Sequence, residues 1–110
     1  MALYEELEID QGSTFRYQVD LTTSSGDPYD LNGFTITSQI RKTYKSTVVV
    51  GTFTPTNPAL GRIILTLTDE ETAAIAAGRY VYDVFIQGPG GQRYRVLEGM
   101  ITVTPSVTQI

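Results

Sequence analysis

The stretch from Leu65 to Asp83, LTLTDEETAAIAAGRYVYD, constrains the fold more than any other part of the chain. Leucines alternate with threonines at its start, which is typical of a strand with one buried face. Thr68 and Glu71 have the spacing of a capping box, which predicts a short helical turn, and Gly78 is placed to end it. Tyr80 opens the next predicted strand. A strand, one helical turn and a tyrosine-bearing strand therefore follow one another.

The rest of the chain repeats the period-two pattern of half-buried strands. Turn residues separate segments in which every second residue is apolar, and these segments cover residues 3–9, 15–21, 34–41, 46–54, 63–67, 80–86 and 94–103. Residues 55–61, with two prolines, are predicted to form a loop. Seven strands at about 8–12-residue spacing, with Tyr80 at a tyrosine corner, are typical of immunoglobulin-like domains. We therefore predict an all-β, immunoglobulin-like antiparallel β-sandwich. Its one short helical turn is expected at about 69–77.

Composition limits the classes of function. The length of 110 residues predicts one domain, 1–110, with a short tail at 105–110. Neither cysteine nor histidine occurs, which excludes disulfides, thiol catalysis and thiolate zinc sites and removes the commonest general base. The net charge of −4 argues against nucleic acid as a partner. Since neither a signal peptide nor a run of about 20 apolar residues is found, we expect synthesis in a cytoplasm and no membrane partner.

Three local patterns could carry chemistry, and each also has a structural interpretation. Asp27, Asp30 and Asn32 could hold calcium, although their spacing does not match the D-x-D-x-D-G loop and turns use the same residues. The acidic residues 69–71 are consecutive on one helical turn, which suits capping better than glycoside chemistry. The glycine-rich residues 88–91 lack the G-K-[ST] ending of a phosphate loop. We therefore predict no enzyme activity, no cofactor and no metal.

The last predicted hairpin has apolar residues on both faces. Val81 and Phe85 alternate out of phase with the core residues around them, and Val96 and Met100 do so in the partner strand. A half-solvated antiparallel sheet should be polar on one side. Either a bulge near Glu98-Gly99 returns these residues to the core, or the face contacts another protein. The candidate contact residues are Leu3, Tyr4, Val81, Phe85 and Met100.

Taken in order, these landmarks resemble the immunoglobulin-like N-terminal domain of phage upper-baseplate proteins and related small tailed-phage virion proteins. The matching positions are Ile9, Gln11, Gly12, Phe15, Gly26, Pro28, Asp30, Leu31, Gly33, Arg41, Lys42, Gly61, residues 65–68, Glu71, Thr72, Gly78, Tyr80, Tyr82, Asp83, Gly99 and residues 102–104. The resemblance implies attachment to other virion proteins, in multiple symmetric copies, within a tail, baseplate or capsid. It carries over no catalytic or metal residues. Baseplate members continue into a receptor-organising region, whereas this sequence ends at Ile110, which favours an accessory or capsid decoration subunit.

The expected function is therefore that of a non-enzymatic structural protein of a virion, synthesised in the host cytoplasm. The alternative is a carbohydrate-binding adhesin module that recognises a host surface polysaccharide. Tyr4, Tyr44 and Tyr94 would then supply sugar-stacking rings, because the tyrosines of the predicted strands at 15–21 and 80–86 share the parity of core residues. Exposed aromatic side chains in a line across one face would favour this alternative.

Overall fold

The computed structural model describes residues 3–108, so the ends of the predicted domain, including the last two residues of the predicted tail, lie outside the described part. Two β-sheets and one helix make up its regular structure. The elements are β1 (Leu3–Tyr4), β2 (Leu7–Asp10), β3 (Phe15–Asp20), β4 (Thr35–Arg41), β5 (Gly51–Thr52), β6 (Thr54–Ala59), β7 (Arg62–Leu67), α1 (Asp69–Ala73), β8 (Gly78–Gln87) and β9 (Arg93–Thr104).

The larger sheet has the strand order β1-β9-β8-β4-β5, with β2 also paired to β9. The smaller sheet has the order β3-β7-β6. Strands β1 and β2 run parallel to β9, and all the other paired strands described here are antiparallel. The prediction of an all-β sandwich is confirmed, and the first predicted strand is divided into β1 and β2.

The core fills the space between the sheets because the inward residues of both sheets alternate with polar ones. Phe53 lies where the chain crosses from one sheet to the other, and its ring is 5.8 Å from that of Phe15 and 6.0 Å from that of Tyr82. The other buried core residues are Leu7, Ile9, Val19, Leu21, Leu31, Ile40, Ile63, Leu65, Leu67, Ile75, Tyr80, Val84, Ile86, Leu97, Ile101 and Val103. An edge-to-face contact such as that of Phe53 with Tyr82 adds stability beyond area burial.

The helix begins as the sequence predicts and ends earlier. Thr68 accepts a hydrogen bond from the backbone of Glu71, whose carboxylate accepts one from the backbone of Thr68, so the capping box is confirmed. The helix ends at Ala73, and Gly78 is the first residue of β8 rather than the helix stop. The chain turns earlier because Ile75 enters the core. No helix in residues 3–108 has the length and apolar character needed to cross a membrane.

Two segments between β4 and β7 differ from the prediction. The predicted strand 46–54 contains only β5 and the start of β6. The backbone of residues 46–48 binds side chains instead of a neighbouring strand: the Ser46 carbonyl accepts from Arg41 at 2.8 Å, and the Val48 amide donates to the Ser46 hydroxyl at 3.3 Å. The predicted loop 55–61 is mostly β6. This strand tolerates two prolines because it lies at the sheet edge and pairs only with β7.

Candidate protein-contact face and groove

The solvent-facing side of β4, β8 and β9, which we call the outer face, contains three of the five candidate contact residues. Cross-strand register places Val81 beside Met100 and Arg41, and Phe85 beside Arg95 and Thr37. Val81 and Met100 are half-buried, and Phe85 is 37% exposed. The outer face therefore presents apolar side chains between arginines.

A bulge is present in the last hairpin, but not where the sequence predicted it. The register shifts between Val84 and Phe85, which pair with Leu97 and Arg95, so Val96 is the extra residue. Val96 packs against the core, as a parity switch requires. The bulge lies at Val96 instead of 98–99, and it returns Val96 to the core but leaves Val81, Phe85 and Met100 on the outer face.

Leu3 and Tyr4 lie at the edge of the larger sheet in β1, away from Phe85. Leu3 pairs with the inward-facing Leu97, and Tyr4 pairs with Glu98 on the outer face. Both are more than half exposed, at 55% and 54%. The structure therefore brings the two β8 candidates and Met100 together and places the two N-terminal candidates on a neighbouring edge.

A groove of about 420 Å³ lies on the outer face, over the outward side chains of the paired strands β4 and β8. The loop that follows β4 folds Tyr44 against one end, and Arg93 lies at the wall near the β8–β9 turn. The lining residues are Thr35, Thr37, Gln39, Arg41, Thr43, Tyr44, Val81, Tyr82, Asp83, Phe85, Gln87 and Arg93. The polar outward residues of β4 were predictable as a solvent-facing strand side, but the sequence contained no signal that Tyr44 would line a groove with them.

Asp83 is the only carboxylate among the residues lining this groove. Burial raises the pKa of Asp83, the nearby Arg95 and Arg41 lower it, and Glu98 raises it. Arg41, which lines the groove, donates to the Gln39 side chain at 3.0 Å, whereas Arg95 does not line it and its Nε lies 3.9 Å from a carboxylate oxygen of Glu98. The groove thus offers two arginines, Arg41 and Arg93, and one partly buried acid.

Glycoside chemistry would need a second carboxylate facing the same substrate. Glu98 is the cross-strand neighbour of Asp83, but it pairs with Arg95 and does not line the groove. Two carboxylates of a glycosidase flank the scissile bond from within one cleft. The groove therefore has the donors and rings of a binding surface, without that catalytic pair.

The acidic clusters considered in the sequence are used by local structure. Asp30 accepts from the backbone of Asn32 at 2.9 Å, and Asp27 accepts from Ser25 at 3.3 Å, as turns require. Glu71 belongs to the capping box. Within residues 3–108, no three His, Cys, Asp or Glu side chains are grouped so that they could hold a metal ion.

Comparison with known proteins identifies the fold. No family profile matches the chain, and no curated protein does. Among solved structures, the chain is similar to a structure titled "Crystal structure of titin M3 domain", with a TM-score of 0.50 and 12% sequence identity. The match covers 93% of this chain and 90% of that chain. Together with the strand order and the tyrosine corner, in which the Tyr80 hydroxyl donates to the Ala76 carbonyl, this likeness confirms the immunoglobulin-like β-sandwich.

Proposed function

We propose that this chain is a non-enzymatic structural protein of a tailed-phage virion, acting as a tail or baseplate accessory or a capsid decoration subunit. It docks onto neighbouring virion proteins, and the outer face is the contact surface. The observation that carries the proposal is the group formed by Val81, Phe85 and Met100 on strands whose solvent side should be polar. The ordered sequence landmarks shared with phage upper-baseplate domains supply the virion context.

The chemistry of the outer face suits a protein partner. Protein interfaces combine an apolar and aromatic centre with a polar rim, and arginine is enriched in them. Here Phe85 is flanked by Arg95, and Val81 by Arg41. Because these side chains stand on paired strands, their backbones are already ordered, which reduces the entropy lost on binding.

The non-enzymatic part of the proposal is supported by the groove, where Asp83 has no second carboxylate beside it in the lining, and by the lack of histidine and cysteine in the sequence. The fold likeness to a titin domain is compatible with it.

Incorporation into particles tests the proposal. Mass spectrometry of purified virions should detect the chain, and cryo-electron microscopy should place the outer face against another protein. Phe85→Asp should weaken docking at least about 30-fold, since an aromatic anchor contributes about 2 kcal/mol or more. The matched control is Leu60→Asp, which introduces the same charge at a 62% exposed leucine between β6 and β7.

The isolated Phe85→Asp protein should keep the circular dichroism and cooperative unfolding of the wild type. Virions without the chain would refute the proposal. So would a folded Phe85→Asp variant that enters particles as well as the Leu60→Asp control does.

A second candidate function is favoured by the aromatic side chains of the groove. Tyr44 and Phe85 line it together with Gln39, Gln87 and Arg93, a combination that could stack on and hydrogen-bond a polysaccharide. Tyr4 and Tyr94 do not line it, so the tyrosines form no single row across the face. A glycan array gives binding that Tyr44→Ala removes if this candidate is correct, and an array without hits counts against it.

A further inference from the structure

The two edges of the larger sheet carry opposite charge. One edge is formed by β1 and β2, and residues 3–10, which we call the acidic edge, contain four acidic residues and no basic one. The other edge is formed by β5, and residues 41–50, which run from the last residue of β4 through the loop to β5 and which we call the basic edge, contain three basic residues and no acidic one. The net charge of −4 hides this asymmetry.

Both edges also expose apolar side chains. Of the nine large hydrophobic side chains that residues 3–108 leave exposed, five lie on these two edges. Leu3 and Tyr4 belong to the acidic edge, at 55% and 54% exposure. Tyr44, Val48 and Val49 belong to the basic edge, at 61%, 67% and 39%. Each edge thus combines an apolar centre with charge of one sign, as one half of a protein interface does.

The opposite charges do not neutralise each other within one subunit. The ion pairs of the described residues join Arg62 to Asp20 and Arg95 to Glu98, and neither pair involves an edge. Three strand spacings separate β1 from β4, which ends at Arg41, or about 14 Å at about 4.8 Å per strand. That separation exceeds the Debye length of about 8 Å at physiological salt, so charges on the two edges scarcely interact.

We propose that the acidic edge of one copy of this chain docks against the basic edge of the next copy. A two-fold symmetric contact would place like charges together, whereas a head-to-tail contact pairs acid with base and apolar with apolar. A head-to-tail contact that repeats forms a ring or a filament. This inference deepens the proposed function, on which it rests, because it supplies the repeating contact of a multicopy virion component.

Salt dependence is the first test. In sedimentation velocity, the purified wild-type chain forms concentration-dependent oligomers at about 20 mM NaCl, where exposed charges are weakly screened. Raising the salt to about 500 mM weakens the association at least about tenfold. A wild-type chain that stays monomeric at low salt overturns the inference, as does association that is indifferent to salt.

Charge reversal is the second test. Lys45→Glu and Glu8→Lys alter exposed side chains on opposite edges, and each variant alone is expected to be monomeric at low salt. Their equimolar mixture reassembles, because every contact again joins opposite charges. The matched controls Arg16→Glu and Asp27→Lys make the same charge changes at exposed positions outside both edges and still assemble.

A mixture that stays monomeric overturns the inference, and so do controls that lose assembly as fully as the edge variants. Association that requires a different protein on either edge also overturns it.

The two proposals can fail separately. A chain found in virions but monomeric at low salt leaves the proposed function standing, whereas a chain that assembles in solution but is missing from virions removes only the proposed function.

Discussion

The side chain of Tyr80 fixes the link between α1 and β8. Its hydroxyl donates to the carbonyl of Ala76, four residues upstream, and its buried ring packs in the core. The ammonium of Lys42 lies 4.7 Å from the ring centroid, a cation–π contact. Tyr80 therefore fixes the link between α1 and β8 through two contacts, the hydrogen bond of its hydroxyl and the cation–π contact of its ring.

Replacing Tyr80 by Phe should lower the free energy of unfolding by about 1 kcal/mol, because it removes one hydrogen bond and keeps the ring and its cation–π contact. Urea denaturation measures the change, with an unchanged m-value. Tyr94→Phe, at a half-exposed tyrosine, is the control and should change little. Equal stability of the Tyr80→Phe and wild-type proteins would contradict this assignment of the corner.

Asp83 contributes to stability with a sign opposite to that of most acids. Its pKa is raised in the folded state, chiefly by burial, so the folded protein binds this proton more tightly than the unfolded chain does. The ionised form therefore opposes folding above the folded pKa, and this cost disappears as the pH falls through it. By contrast, the pKa of Asp20 is lowered, chiefly by its hydrogen bond with Arg62, so its contribution is lost as the pH falls.

Asp83→Asn should therefore be more stable than the wild type at neutral pH, with an advantage that shrinks as the pH falls through the titration of Asp83. Urea midpoints measured across acid and neutral pH check this. Asp27→Asn, at an exposed turn, is the comparison variant. If Asp83→Asn is instead less stable at neutral pH, attraction to Arg41 and Arg95 outweighs the burial of the charge.

At the scale of elements, the strands with clear alternation were predictable and the segment between β4 and β7 was not. Val48 and Val49 have strong strand propensity, yet they are exposed loop residues, because Arg41 and Ser46 bind the local backbone. Prolines at 55 and 58 predicted a loop, yet an edge strand accommodates them. The hydrogen bonds of Arg41 and Ser46 are local but do not show in the apolar alternation, and edge position is a tertiary feature that local patterns do not contain.

The N-terminal strands depend on one glycine of β9. A Cβ atom at Gly99 would collide with the carbonyl oxygen of Glu5, which lies between β1 and β2. The same oxygen accepts a hydrogen bond from the buried Tyr82 hydroxyl at 2.8 Å, and the Glu5 amide donates to the Glu98 carbonyl at 2.9 Å. Gly99 therefore permits the close approach that divides the first strand in two.

Gly99→Ala should push the Glu5 backbone away from β9 and lower the free energy of unfolding by about 1–3 kcal/mol, the usual cost of overpacking. Hydrogen exchange should show that the Glu5 amide loses protection. The control is Gly90→Ala, whose added methyl meets only the movable side chain of Gln92. Unchanged protection of the Glu5 amide would mean that the N-terminal strands adjust to the added methyl without losing this hydrogen bond.

At the scale of the molecule, one core joins the two sheets, so they should unfold together. Leu65 is fully buried in this core. Leu65→Ala should cost about 2–5 kcal/mol and leave a single transition that coincides by far-ultraviolet circular dichroism and tyrosine fluorescence. Leu60→Ala, at an exposed leucine, should cost far less. Separate transitions for the two probes would show that the sheets are independent.

The outer face was partly predictable from the sequence. Val81, Phe85 and Met100 could be assigned to it because parity along a strand is a local property. The position of the bulge could not, since the identity of Val96 as the extra residue depends on how β8 and β9 align. The groove was also unpredictable, because Tyr44, from the loop that follows β4, lines it together with residues of β4 and β8.

The parallel pairing of β1 and β2 with β9 has a mechanical consequence. A pull on the segment entering β1, opposed by a pull on the segment leaving β9, acts along these strands in opposite directions. Such a load shears every hydrogen bond of both ladders at once, whereas a perpendicular load would unzip them one after another. The domain is therefore built to resist tension applied through its first and last strands.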